Sequence, residues 1–310
     1  MGKLRNDWKS RLEGECEIQG QDTNIMRPKL LTKLAREVVP RPLRNWLRSP
    51  SRSAEWLWDS AMFSIGTTKT LQLGPNLSLI CHPRAYRIAY RDQVRDPEQG
   101  EEFRNFVSYC GRDMYLFDIG SHYGIFSLIA AHFGGTAIAV DPSPTATRMI
   151  RTQADLNKCT DRIQIIQAAV SNAGGEIDLL STGVFSDGYF QMATGRSKRE
   201  LTRTGAITID QMVRQFGNPT HIKIDVEGHE AAVLRGASAA LKQISPLLFV
   251  ELHNEMIRAN GGNPASSLDE LAQLGYETFA STGDSIQRSV ILDSPIIRIV
   301  ARRTLPARQR

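Results

Sequence analysis

The sequence predicts a doubly wound α/β fold, a mostly parallel sheet with helices on both faces, preceded by an N-terminal helical extension. Three observations carry that expectation. From Tyr115 onward, strand-like apolar runs alternate with helical segments of roughly 10–15 residues. Those strands read as near-continuous apolar stretches, as strands buried on both faces do. A glycine-punctuated turn, "GSHYG", closes the first of them and opens a long apolar helix.

Taken in order, residues 1–26 are polar and without period. Residues 27–63 hold three short helix-like pieces, "KLLTKLAREVV", "RPLRNWLR" and "SAEWLWDSAMF", separated by Pro40, Pro42 and Pro50. Prolines between short amphipathic segments describe a jointed helical cap. "NLSLICH" is expected as a strand and "DPEQGEEFRNFVSYC" as a helix. Then "MYLFDIG" is a strand, Tyr123–Phe133 a helix, "TAIAVD" a strand and Thr145–Asn157 a helix. "RIQIIQAAV" and "EIDLLS" are strands, followed by a Gly-, Ser- and Arg-rich loop that runs to about Gly205. "HIKIDV", "EAAVLRGASAAL", "PLLFVELH" and "SLDELAQLG" continue the alternation, and Tyr276–Ala280 and Ile296–Ala301 end it as strands. The expected division is residues 1–75 as a basic arm with its helical extension and residues 76–310 as the main domain. No repeat with a period of about 20–50 residues is visible.

Composition narrows the function classes. At 310 residues, 41% hydrophobic and 23% charged, the chain can bury a sizeable core. Its net charge is +5, yet residues 1–53 hold 12 Lys/Arg against 6 Asp/Glu, so the remainder sums to −1. A near-neutral body argues against nucleic acid as a partner. Trp46, Trp56 and Trp58 lie among or just beyond the basic residues. They leave two readings open, packing on the main domain, which we prefer, or peripheral contact with a membrane. Cys16, Cys81, Cys110 and Cys159 form no C-x-x-C pair and suit reduced thiols in the cytoplasm. The N-terminus lacks the apolar core of a signal peptide, and "MGKLRN" has Asn6 where a myristoylation signal wants Ser or Thr. Tyr123–Val140 is broken by His132 and a Gly-Gly-Thr, so no transmembrane segment is expected. Nothing in the sequence sets an oligomeric state.

The turn after the first strand is the expected cofactor cradle. Gly120 and Gly124 let backbone approach a ligand or take a left-handed conformation. The helix behind them presents N–H groups at its start. Asp141 ends the second strand, 21 residues after Gly120, and a carboxylate there can accept both hydroxyls of a ribose. A dinucleotide wants G-x-G-x-x-G for its pyrophosphate. Here the spacing is D-x-G-x-x-x-G, with His122 where the middle glycine belongs, and Asp118 just before the turn. An acidic residue suits a cofactor carrying an amino group and a sulfonium, which favours S-adenosylmethionine over a nicotinamide dinucleotide.

A second block sharpens this. "HIKIDVEGHEAAVLRGA" followed by "PLLFVELH", together with "LFDIGSHYGIFSLIAA", "AVDPSP" and "AAVSN", resembles the FkbM-type family of S-adenosylmethionine-dependent methyltransferases. The resemblance covers roughly Asn105 to Leu252, with a weaker "GAITIDQMV" at Gly205–Val213. It implies a class I methyltransferase, Rossmann-like fold and O-methylation of a sugar, a lipid-linked glycan or a polyketide-type small molecule. By position it implies that Asp118, Gly120 and Gly124 shape the methionine and sulfonium end, that Asp141 holds the ribose and that Ala168 lies beside the adenine. Many relatives have Glu at Asp141, and the shorter carboxylate still reaches a ribose.

A hydroxyl acceptor must lose a proton as its new bond forms. Asp225 and Glu227 sit where the fourth strand ends, with His229 and Glu230 beginning the next helix. Glu251 and His253, two apart, share one face at the end of the fifth strand. His229 is the first choice for the base because an imidazole titrates near neutrality, and His253 is the second. Asp225 is expected to orient the substrate or the cofactor's amino group. Glu227 and Glu230 also suit a helix N-terminus, and Glu251 suits a buried backbone partner. Asp225, Glu251 and Asn254 are oxygen donors of the kind Mg²⁺ uses, but no metal is predicted. The loop at 183–205, with Arg196, Lys198, Arg199 and Arg203, is either a solvated loop or a lid over an anionic acceptor. A nicotinamide-dependent oxidoreductase and a non-catalytic cofactor-binding member are the alternatives.

Overall fold

Strands form in this chain where Val, Ile, Leu and Phe run together between glycine- or proline-marked turns, because such side chains pack well on a pleated surface. The computed structural model describes residues 52–87, 97–181, 190–192 and 201–303. Helix α1 (Arg52–Ser64) precedes a hairpin of β1 (Lys69–Gly74) and β2 (Leu77–Cys81), and α2 (Pro97–Tyr109) follows. Next come β3 (Tyr115–Ile119), α3 (Ile125–His132), β4 (Thr136–Asp141), α4 (Pro144–Leu156) and β5 (Ile163–Gln167). Short strands β6 (Ala169–Val170), β7 (Gly175–Ser181), β8 (Phe190–Met192) and β9 (Leu201–Ile207) lead to α5 (Ile209–Phe216). The chain continues through β10 (His221–Ile224), α6 (Glu230–Arg235), α7 (Ser238–Ile244), β11 (Leu247–Leu252), α8 (Asn254–Ala259) and α9 (Ala265–Gln273). It ends in β12 (Tyr276–Ala280), α10 (Arg288–Asp293) and β13 (Ile297–Arg303).

The central sheet has the order β12-β13-β11-β10-β3-β4-β5. The pairs from β11 to β5 are parallel, and β13 runs antiparallel to both β11 and β12. The chain moves outward through β4 and β5 on one side of β3 and through β10 and β11 on the other. That reversal opens a crevice at the carboxyl ends of β3 and β10, where ligands of open α/β sheets bind. Strand alternation divides the core. Phe117 and Ile119 join a cluster with residues of α5, α6, α7 and α9. Leu116 joins one with α2, α3, α4 and the β1–β2 hairpin. Helix starts are well specified: Ser143 caps α4 with Pro144 behind it, and Thr208 with Gln211 forms a capping box on α5.

The predicted alternation is therefore present, with local differences that have physical causes. "EAAVLRGASAAL" is two helices rather than one. Gly236, at the break, lies so close to the segment after β6 that a Cβ there would stand 2.1 Å from the Ser171 carbonyl oxygen. "RIQIIQAAV" splits at Ala168, whose N–H donates to the Asp141 carbonyl, and β6 leaves the central sheet to pair with β9. The loop expected to reach Gly205 contains β8 and β9, both in a second sheet of order β6-β9-β7-β8. Arg196, Lys198 and Arg199 lie outside the described residues. Arg203 sits on β9, its Nε 3.1 Å from Asp178 Oδ1, and so is engaged in a surface ion pair.

Strand β1 and helices α5, α8 and α10 were not expected. Leu71, Leu73, Leu77 and Leu79 of the hairpin are buried beside Phe103 and Phe106, so the expected boundary at residue 75 falls inside a hairpin that shares the core. Residues Trp58–Arg310 make one compact unit. Trp58, expected to pack, is 66% exposed, while "KLLTKLAREVV", "RPLRNWLR" and Trp46 lie outside the described residues. No helix among those described is long and apolar enough to cross a membrane. Gly236→Ala should lower stability by about 1–3 kcal/mol through overpacking against Ser171, read as a lower denaturation midpoint with an unchanged slope.

Candidate active site

The glycine turn is built by backbone contact. Gly120 has φ 75°, and a Cβ there would lie 1.7 Å from the carbonyl oxygen of Asp225. The turn after β3 and the tip of β10 thus meet backbone to backbone. Gly124, the N-cap of α3, has φ 76° and abuts Ile150. His122, in the position a dinucleotide fingerprint gives to glycine, also takes a left-handed conformation, at φ 48°. Its ring stacks on Tyr123 at 3.9 Å. Ser121 Oγ is buried in this turn with no hydrogen-bond partner among the described residues.

Asp141 locks the turn from the neighbouring strand. Its Oδ2 accepts from the His122 N–H at 2.9 Å and its Oδ1 from the Ser143 N–H at 2.8 Å. Each oxygen keeps a second lone pair for a ligand hydroxyl. Burial pushes its carboxyl up to about 7, against the pull of those two N–H groups. Ala168 follows β5 directly and is tied by its N–H to Asp141. Asp118 lies deeper, 1% exposed, with Oδ2 accepting from both the N–H and the hydroxyl of Ser127. Burial pushes its carboxyl up as well.

Beside this turn, on the face that carries Asp118, lies a cluster of buried charges. Lys223 pairs in register with Asp118 across β10 and β3. Its Nζ is 3.0 Å from Glu102 Oε1, 3.6 Å from Glu251 Oε2 and 3.9 Å from Asp225 Oδ2. Burial alone would strip the lysine of its proton, but these carboxylates raise its affinity for it above the ordinary range. Arg298, opposite Glu251 on β13, binds Glu251 Oε1 at 2.9 Å and lies 3.3 Å from Glu102 Oε2. Burial works against ionised Glu251, yet Lys223 and Arg298 hold its carboxyl below the usual range. Asp225, with a 31% exposed side chain, is the member that reaches the crevice. Burial and the nearby Glu251 push its carboxyl well up.

Of the sequence candidates, the fold brings Asp225, Glu251 and His253 together, with ligand-type atoms within 4.8 Å of one another. Glu251 already has a cation at each oxygen, so the cluster is answered by lysine and arginine. Asn254, the remaining oxygen donor of that reading, donates its amide to the carbonyls of Ile291 and Ser294 near α10, and its buried Oδ1 has no partner among the described residues. His229 is not part of the cluster. Its Nε2 meets Ser171 Oγ at 2.9 Å, and burial pulls its titration down. Glu102, Lys223 and Arg298 escaped the sequence reading. A lysine inside the apolar run "HIKIDV" was the available signal, since lysine is almost never fully buried without a partner.

Comparison with known proteins now decides the family. The profile of the methyltransferase FkbM domain matches residues 118–278, over half of the chain and inclusive of every site residue above except Glu102 and Arg298. The chain belongs to the FkbM methyltransferase family. Its Rossmann-like, mostly parallel sheet is the architecture the resemblance implied, and the nicotinamide alternative is not favoured. The chain is 26% identical over 165 residues to the hexuronic acid methyltransferase AglP of Haloferax volcanii, across 52% of this chain and 65% of that protein. It is 30% identical over 76 residues to the ribosomal protein L11 methyltransferase of Desulfitobacterium hafniense, across 24% of each. The chain thus spans less than two thirds of either relative. Among solved structures, it is similar to the methyltransferase FkbM of Methylobacillus flagellatus KT, with 13% identity, a TM-score of 0.42 and coverage of 70% and 59%.

The cluster makes a stability prediction. Lys223→Met should cost about 3–5 kcal/mol, because it leaves buried carboxylates without their counter-ion. Adding Glu102→Gln should recover part of that loss, as measured by chemical denaturation of both variants.

Proposed function

We propose that this FkbM-family chain is an S-adenosylmethionine-dependent O-methyltransferase acting on a hydroxyl of a sugar, a lipid-linked glycan or a polyketide-type small molecule. A hexuronic acid is the first acceptor to try, since a relative is named for that substrate. The carrying observation is the contact of Gly120 with the Asp225 backbone, which puts the glycine turn and the partly exposed Asp225 carboxylate at adjoining strand tips.

The turn suits the cofactor on its own features. Asp141 keeps lone pairs for two ribose hydroxyls, Ala168 adjoins it for the base, and buried Ser121 Oγ is available to a polar ligand group. Asp118, Gly120 and Gly124 line the methionine end. When bound, the cofactor supplies an electrophilic methyl carbon on a sulfonium that leaves readily. The chain's own part is to align the acceptor oxygen with that carbon and remove its proton. We assign proton removal to Asp225 rather than His229, whose Nε2 is committed to Ser171. Glu251 and His253 support Asp225 from the next strand tip. Lys223 and Arg298 balance the buried carboxylates Glu102 and Glu251 beside it.

The proposal includes a small-molecule or glycan acceptor, no nucleic acid, and a cytoplasmic site of action. The residues before the β1–β2 hairpin serve as a basic extension that contacts a membrane surface when the acceptor is lipid-linked.

The test is release of S-adenosylhomocysteine with glycosides bearing free hydroxyls, uronic acids first. No release with any acceptor, despite cofactor binding, would favour the non-catalytic alternative. Asp225→Asn should slow turnover about 10²–10⁴-fold and leave cofactor affinity near wild type, whereas Asp141→Ala should weaken affinity. Because Asp141 titrates at about 7 and its ionised form is the stronger acceptor, affinity should tighten as pH rises through neutrality. Calorimetry should find that dependence in wild type and not in Asp141→Ala.

A further inference from the structure

One buried carboxylate ties the turn after β10 to the turn after β11. Glu230, first residue of α6, is fully buried. Its Oε1 accepts from the Gly228 N–H at 3.0 Å and faces His253 Nδ1 at 2.9 Å. The turn it grips is conformationally costly, with Glu227 at φ 54° and Gly228 at φ 95°. Gly228 also abuts α8, where a Cβ would lie 3.2 Å from Met256 Cβ. A carboxylate only accepts, so Nδ1 carries the hydrogen of that bond. Nε2 is then left facing Asp225 Oδ1 and Glu251 Oε1, each 3.7 Å away.

The charges around His253 come from every element packed there. Asp225 just after β10, Glu251 of β11 and Glu230 of α6 act on the ring directly. Behind them stand Lys223, Arg298 and Glu102, and Glu227 acts on Asp225. Two groups in this cluster compete for one proton. Burial and Glu251 favour protonation of Asp225. Burial disfavours a charged His253, but the bond to Glu230 and the surrounding carboxylates lift its titration to about 9. Sites this close titrate as a unit, so what fixes the proton on one decides the state of the other.

We infer that Glu230 is a positioning residue that keeps the shared proton on His253 and thereby leaves Asp225 as the carboxylate that takes the acceptor's proton. Asp225's part in this rests on the methyl-transfer reading; the placement of the proton does not. The geometry carries it: a fully buried carboxylate, bonded on one side to the strained turn behind Asp225 and on the other to the ring that faces Asp225.

The test has two arms. The first follows the His253 ring signals by NMR against pH in wild type and Glu230→Gln. Glutamine keeps an oxygen for the Gly228 N–H and removes the charge. The His253 midpoint should fall from about 9 toward the ordinary value of about 6.5. An unmoved midpoint overturns the inference whether or not the enzyme turns over. The second arm is the pH profile of kcat/KM, whose rising limb should move up by about one pH unit in Glu230→Gln, with cofactor affinity unchanged. Should that variant fail to fold, His253→Gln should move the same limb upward, and a limb that stays in place there overturns the inference. A midpoint that falls in a protein that releases no S-adenosylhomocysteine supports the proton assignment and counts against the methyl-transfer reading instead.

Discussion

At Gly120 the backbone of one strand tip rests against the backbone of the next, with the space for a side chain already filled by the carbonyl of Asp225. The rest of the site depends on that contact. It sets the distance between the turn that Asp141 stabilises and the strand end that Asp225 occupies, and only a residue without a Cβ can make it. The left-handed conformations of Gly120, His122 and Gly124 follow from bending the chain within five residues from β3 into α3. His122 shows how far a neighbour can compensate: a non-glycine residue holds a left-handed conformation there while its N–H binds Asp141.

Charge is the second constraint. Asp118, Lys223, Glu251 and Arg298 lie on the face of the sheet that also carries buried Leu116, Phe249 and Val300, and α2 delivers Glu102 to the same place. Burying ions is favourable only when each finds partners in good geometry; here Glu102 and Glu251 each meet both Lys223 and Arg298, while Asp118 is held by the N–H and hydroxyl of Ser127. Asp225 differs in being partly open to the crevice. That exposure, more than its residue type, separates it from the structural members of the cluster.

The fold was legible because periodicity and turns agreed along most of the chain. Every strand of the central sheet appears where an apolar run was read, and the glycine turn, Asp141 and Ala168 meet at the adjoining ends of β3, β4 and β5. What was not legible depends on contacts distant in sequence. The helix break at Gly236 is imposed by Ser171, the departure of β6 by β9, and the burial of β1 by Phe103 and Phe106. The site followed the same rule. Asp225, Glu251 and His253 were visible as strand-end residues, but Glu102 and Arg298 lie far from any motif. The sequence put His229 ahead of His253 as the base; the structure shows that the His229 ring meets a serine and the His253 ring a nest of carboxylates.

Strand β13 enters the sheet between β11 and β12, although it is the last of the described elements to be made. It brings Arg298, the counter-ion for Glu251 and a neighbour of Glu102. Both glutamates precede that arginine in the chain and are synthesised before it. Until β13 docks, β12 has no strand to pair with in the central sheet, and Glu251 and Glu102 lack their arginine. The charge cluster is therefore completed only by the last of the described strands.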